Sequence, residues 1–207
     1  MSRNTNGEGF SLKDHLFNKD KVSYLSGILK QADQNFDEEG FETFVNKKLT
    51  SLELKARISH IASGLEKYLD QDYQKAIKHI VAALPEPLDP NKTDNDFGDF
   101  IFAPFGEYVV RRGLSKEYFD SSLATLRELT MRFSMEDAIR YFINEYPKET
   151  LSTLEGWIED ENYHVRRLVS EGTRALLPWS GRLTIDPLKP LPLLERLHAD
   201  PTRYVTR

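Results

Sequence analysis

Cysteine is absent from the sequence, so disulfide bonds and thiolate metal sites are excluded and a cytoplasmic location is the simplest interpretation. No apolar run approaches the roughly 18 residues that a membrane-spanning helix needs, so we expect no membrane partner. The opening MSRNTNGEGF lacks the apolar core of a secretory signal. Its polar composition predicts that residues 1–10 are disordered.

Glycine is scarce, with 11 residues, and the sequence contains no GxGxxG, no P-loop and no GxSxG motif. Phosphate-binding loops depend on such glycines, so we expect no nucleotide cofactor. The histidines show no spacing typical of metal ligands; they are His15, His60, His79, His164 and His198. The sequence therefore predicts neither a metal site nor a cofactor.

Sustained alternation of apolar and polar residues is also missing, and helical periodicity takes its place. Thr50 and Glu53 have the spacing of a capping box before LELKARISHIASGLEKYL, in which apolar residues recur every three or four positions. After Pro104 the pattern predicts helices of regular length with short connections. They cover 104–113, 116–131, 134–146, 149–159, 162–177 and 190–198, with a last one beginning near 201.

A weak internal repeat relates EDENYHVRR (159–167) to ADPTRYVTR (199–207) at an offset of 40 residues, which is near the period of HEAT and armadillo units. The fold class we predict is all-α: a right-handed solenoid of antiparallel, HEAT-like helical hairpins spanning residues 11–207. Since the chain stops in the first turns of a repeat's second helix, we expect it to be truncated within its last repeat.

Basic residues are concentrated at the C-terminal end, although the net charge is −5. Residues 162–207 hold 7 Arg and 1 Lys against 4 acids, a local net charge of +4. Arginine suits phosphate and buried carboxylate better than lysine does. Structural ion pairing explains the same composition equally well.

The segment DENYHVRRLVSEGTRALLPW (160–179) places a carboxylate between arginines. On a 162–177 helix, His164, Arg167, Glu171 and Arg174 step by 3, 4 and 3 and form one stripe. Pro178 should end the helix and leave Trp179 just beyond it. Ordinary ion pairs of about 0.2–0.5 kcal/mol are one interpretation, and a groove for a flat, charged ligand is the other.

A second carboxylate lies in FSMEDAIRYF (133–142), where Ser134 is a candidate N-cap and Glu136 falls in the first helical turn. A favourable interaction with the helix dipole is a sufficient explanation of such an acid. In a stack of hairpins, the start of this helix and the body of the 162–177 helix can also face one groove.

Four stretches together resemble the AlkC-type DNA alkylation repair proteins, which are 3-methyladenine DNA glycosylases of a helical-repeat superfamily. They are FGDFIFAPFGEYV (97–109), LRELTMRFSMEDAIRYF (126–142), HVRRLVSEGTRALLPWSGRL (164–183) and PLPLLERLHADPTRYV (190–205). The resemblance implies a concave surface that binds duplex DNA carrying alkylated bases, and cleavage of the N-glycosidic bond of cationic bases of the 3-methyladenine and 3-methylcytosine type.

The resemblance also implies which residues act. Glu136, Glu171 and Trp179 match catalytic positions, and a further carboxylate is expected in a repeat after Arg207. The residues expected to contact phosphate are Arg132, His164, Arg167, Arg174 and Arg182. The complete enzyme is expected to be a monomer. A non-catalytic helical-repeat module that binds DNA or protein remains the alternative function.

Overall fold

The computed structural model describes residues 11–89 and 97–206, and within these ranges it consists of helices without a strand. The expectations for residues 1–10 and for Arg207 fall outside the described residues. No helix in the described ranges is long and apolar enough to cross a membrane. The α-helices are α1 (Leu12–Leu16), α2 (Lys19–Ala32), α3 (Glu38–Leu49), α4 (Leu54–Tyr68), α5 (Tyr73–Ala83), α6 (Ala103–Gly113), α7 (Phe119–Thr130), α8 (Glu136–Glu145), α9 (Pro147–Trp157), α10 (Tyr163–Gly172), α11 (Leu191–Leu197) and α12 (Arg203–Thr206).

The helices stack as antiparallel hairpins in two rows. In one row α4, α6, α8, α10 and α12 pack in succession, and α5 and α7 pack against each other in the second row. The apolar side chains between the rows form one continuous core that runs from Phe17 to Val205. The predicted all-α solenoid of helical hairpins is confirmed, and the first row carries the surface described below.

Short polar side chains fix where several helices begin. Asn18, Asp37, Asp72 and Asn162 each accept a hydrogen bond from a backbone N–H in the first turn of α2, α3, α5 and α10. Such caps satisfy donors that a helix start leaves without a partner and stabilise it by about 1 kcal/mol each.

The 40-residue sequence repeat has a structural counterpart. Arg127 Nε donates to Asp160 at 2.7 Å, and one repeat later Arg166 Nε donates to Asp200 at 2.6 Å. Each aspartate also accepts from the backbone N–H two residues ahead. Burial opposes ionisation of Asp200, but hydrogen bonds from Arg166 and Thr202 outweigh it and lower its pKa. The same clamp thus holds consecutive hairpins, while the assignment to the HEAT type stays a prediction.

Two predicted helix caps are wrong, and the predicted starts at 116 and 149 differ from those of α7 and α9 by two or three residues. Thr50 closes α3 instead of opening α4, whose N-cap is Glu53 without a side-chain cap bond. Met135, not Ser134, is the N-cap residue of α8, and the Ser134 hydroxyl bonds to Glu136 instead.

The predicted 162–177 helix is also too long, because α10 ends at Gly172 and Pro178 plays no part in stopping it. The cause is Arg140 of α8, which takes the carbonyls of residues 172, 174 and 175 as acceptors. Those carbonyls turn towards α8, so residues 173–181 form a loop.

Candidate active site

A groove of about 630 Å³ follows the exposed side of α4, α6 and α8. Its walls are mainly apolar and include Ile58, Val110 and Phe133. Glu136 and Trp179 line the same groove, Trp179 from the loop after α10. The groove therefore combines an apolar floor with a carboxylate and an exposed aromatic ring, as small-ligand sites commonly do.

Glu136 is the first residue of α8, where the positive end of the helix dipole favours a carboxylate. Its Oε2 accepts from the Ser134 hydroxyl at 2.9 Å and from Arg167 Nη1 at 3.3 Å. The side chain keeps 29% of its surface exposed, so one side of the carboxylate faces the groove. Glu136 is thus oriented by two donors and still accessible.

Arg167 of α10 joins the two predicted carboxylates. Besides its bond to Glu136, its Nη2 lies 3.9 Å from Glu171 Oε1, and Arg174 Nη1 lies 3.0 Å from Glu171 Oε2. The predicted i,i+3 and i,i+4 pairs around Glu171 are therefore present, and their extension to Glu136 brings both helices together. Glu136, Arg167, Glu171 and Arg174 alternate in charge, which limits the energetic penalty of burying the two inner side chains, Arg167 and Glu171.

Aromatic rings hold the Arg167 guanidinium from the side. Its central carbon lies 4.3 Å from the ring centroid of Tyr204 and 5.2 Å from that of Phe97, both within cation–π range. Close packing of the helices permits this arrangement, since a Cβ at Gly172 would lie 2.6 Å from Ile139 Cγ2. Arg167 is thereby fixed between the carboxylates.

Trp179 combines strong exposure with an unusual backbone. Its side chain is 71% exposed, and its φ of 73° lies in the left-handed region. A residue other than glycine in that region costs on the order of 1–3 kcal/mol and is frequent at functional sites. Packing in the core cannot explain a tryptophan here, so a ligand in the groove is its most direct explanation.

Burial separates the predicted phosphate contacts into two groups. Arg132 donates to the Pro85 carbonyl and to Glu128, and His164 is buried against the rings of Tyr163 and Tyr204. Together with Arg167 these side chains have little surface left for phosphate. Arg174, 53% exposed, and the exposed Arg182 are accessible. Phosphate contact itself stays a prediction for all five.

Sequence reasoning missed two residues of α8 that matter for the groove. Tyr141, 47% exposed, lines it together with Glu136. Arg140 is fully buried and binds the backbone of the loop that carries Trp179. A hydropathy pattern cannot identify Arg140, because an arginine on an amphipathic helix is normally assigned to solvent.

No family model matches the chain. Over 196 residues it is 28% identical to the uncharacterized protein YhaZ of Bacillus subtilis (strain 168), an alignment that covers 93% of this chain and 52% of that protein. Its fold matches the Pseudomonas fluorescens alkylpurine DNA glycosylase AlkC bound to DNA containing an abasic site analogue, with a TM-score of 0.81 and 28% identity. That match covers 96% of this chain and 53% of the other. The resemblance to AlkC-type proteins is confirmed, and the chain spans about half the length of both relatives.

Proposed function

We propose that this chain binds duplex DNA along the groove and supplies catalytic residues of a DNA glycosylase that releases cationic alkylated bases, of the 3-methyladenine and 3-methylcytosine type. The observation that carries the proposal is Trp179, which is exposed, is held in a left-handed backbone conformation and lines the same groove as Glu136. The similarity in fold to a DNA-bound alkylpurine DNA glycosylase supports it.

The positive charge of the alkylated base already weakens its bond to the sugar, so the protein does not need to protonate the base. The C1′–N bond breaks with its electron pair passing to the base, which leaves as a neutral molecule, and an oxocarbenium-like sugar remains. Water then adds to C1′ and gives up a proton, leaving an abasic site. Glu136 would stabilise the developing positive charge and accept that proton. Trp179 would cover the sugar and exclude bulk water, and Arg167 and Glu171 would hold Glu136 in place.

Incubation of this chain with methylated duplex DNA, followed by measurement of free 3-methyladenine, tests the proposal. We expect release above the spontaneous rate measured without protein. Specific DNA binding without any release would favour the alternative, a non-catalytic helical-repeat module. The net charge of −5 and the coverage of only half of each relative favour that alternative.

Salt dependence distinguishes the possible partners. If Arg174 and Arg182 contact phosphates, the logarithm of the DNA-binding constant should fall linearly with the logarithm of salt concentration, by about 0.9 per phosphate contact. A binding constant that does not change with salt would exclude DNA as the ligand of the groove and point to a protein partner.

Replacing Trp179 by asparagine should lower single-turnover base release by about 10-fold or more, in line with misplacement of a reacting group. Asparagine tolerates the left-handed region better than tryptophan does, so the melting temperature should stay the same or rise. Exposed Leu176→Asn in the same loop serves as the control. Unchanged release by Trp179→Asn would remove the ring from the mechanism.

Replacing Glu171 by glutamine should reduce base release by about 10-fold or more, because Arg167 then loses one of the two carboxylates that position it. The fold should persist, since glutamine keeps the shape and an acceptor oxygen. Circular dichroism checks the fold, and single-turnover assays check the rate. Equal rates for variant and parent would exclude Glu171 from the mechanism.

A further inference from the structure

Both limbs of the loop that presents Trp179 are attached to α8. On the limb before it, Arg140 Nη1 donates to the carbonyls of Gly172 and Arg174 at 3.2 and 2.6 Å, and Nη2 donates to that of Ala175 at 3.3 Å. On the limb after it, Arg140 Nε donates to the Gly181 carbonyl at 2.8 Å. One guanidinium therefore binds backbone carbonyls both before and after Trp179 in the chain.

One helical turn further along α8, Asn144 extends the attachment. Its Nδ2 donates to the Arg182 carbonyl at 3.0 Å, and its Oδ1 accepts from the Thr184 backbone N–H at 2.8 Å. Glu136, Arg140 and Asn144 follow one another at four-residue spacing, so they lie on one side of α8. The helix that carries the accessible carboxylate therefore also anchors the aromatic loop.

The burial of Arg140 is not explained by an ion pair. Its side chain is 1% exposed, and the acceptors that it contacts are backbone carbonyls. A buried charge without a bonded carboxylate is expensive, and the planar fork of arginine is well suited to collecting several carbonyls at once. The arrangement fixes the loop in a conformation that includes the strained backbone of Trp179.

We propose that Arg140 is a positioning residue, which holds Trp179 over the groove at a fixed place relative to Glu136. The inference rests on the proposed function, because it gives the position of the tryptophan ring a catalytic purpose. It requires that Arg140 act through Trp179 and not on DNA, from which its burial separates it.

Fluorescence tests the structural half of this proposal without any substrate. The chain contains two tryptophans, and Trp157→Phe removes the signal of the buried one, so that Trp179 is the remaining emitter. In that background Arg140→Lys keeps the positive charge but removes the planar guanidinium and most of its N–H donors. We expect lower Trp179 anisotropy and a changed acrylamide quenching constant, while Arg127→Lys, the same substitution on α7, leaves both at parental values. Parental values for Arg140→Lys would overturn the proposal.

A double-mutant cycle tests the catalytic half. Arg140→Lys alone should slow single-turnover base release by about 10-fold or more, with DNA affinity changed much less. In the Trp179→Asn background the same substitution should have no further effect, since residues that act as one unit are non-additive. An equal loss in both backgrounds would overturn the proposal, because Arg140 would then act independently of Trp179.

If Arg140→Lys does not fold, Asn144→Ala releases only the later limb of the loop and takes its place in both experiments. If no variant or parent releases base, the proposed function fails, while the anisotropy result still decides whether α8 fixes Trp179. The two failures are therefore distinguishable.

Discussion

Glu136→Gln is expected to lower single-turnover base release by about 100-fold or more, the usual contribution of a positioned acid or base. Glu136 accepts from the Ser134 hydroxyl and from Arg167, and its remaining surface faces the groove. A neutral amide cannot stabilise an oxocarbenium-like sugar to the same degree, nor take a proton from water. Glutamine keeps an acceptor oxygen for both donors, so the fold and the melting temperature should change little.

The matched control for this prediction is Glu145→Gln, the same substitution at the other end of the same helix. Glu145 is exposed and does not line the groove, so its loss should leave the rate of base release at the parental value. If Glu136→Gln also matches the parent, then Glu136 serves the start of α8 only, and the carboxylate of this mechanism must be sought elsewhere.

The fold was largely predictable because amphipathic periodicity determines helices and short connections determine hairpins. The predicted 104–113 segment differs from α6 by one residue at its start and agrees at its end, and the predicted 190–198 segment differs from α11 by one residue at each end. The predicted 162–177 helix was five residues too long at its C-terminal end, and the local sequence does not reveal the reason. Arg140, more than 30 residues earlier in the chain, binds the carbonyls that would have continued α10.

Part of the site was also predictable, because helical periodicity determines which side chains share one side of a helix. The steps between Arg167, Glu171 and Arg174 follow from helical geometry, and the pairs exist as predicted. Stacked hairpins were expected to bring α8 and α10 to one groove; the bond between Glu136 and Arg167 joins the two helices, but among the described residues the groove is lined by α8 and by the loop after α10, not by α10 itself. The aromatic cage around Arg167 was not predictable, because Phe97 and Tyr204 come from opposite ends of the second half of the chain.

Arg57 shows a second case in which a buried arginine organises the backbone. It lies in α4, is 1% exposed, and its donors point into the junction between α1 and α4. Nη1 donates to the carbonyls of Lys13 and Phe17 at 2.9 and 2.7 Å, and Nε donates to that of Leu52 at 2.9 Å. Asp14 accepts from Nη2; hydrogen bonds from Ser11 and from Arg57 lower the pKa of Asp14.

Arg57→Met should therefore be among the most destabilising substitutions in the chain. The buried Phe17 carbonyl that loses its donor costs about 1–3 kcal/mol, and the partly buried Lys13 and Leu52 carbonyls cost less, so we expect a net loss of about 3 kcal/mol. For a chain of this size that corresponds to a fall in melting temperature of roughly 10 °C. Thermal denaturation followed by circular dichroism measures it.

The appropriate control is Glu53→Gln, which removes the surface ion pair between Glu53 and Lys13 at the same junction. Glu53 is 84% exposed, and pairs of this kind contribute less than about 1 kcal/mol, so its melting temperature should stay close to that of the parent. Leu12 and Leu16 of α1 also line the groove. Arg57→Met should consequently weaken DNA binding at temperatures where the rest of the chain is still folded, because α1 detaches first. A melting temperature and a DNA affinity that both match the parent would show that the junction holds without Arg57.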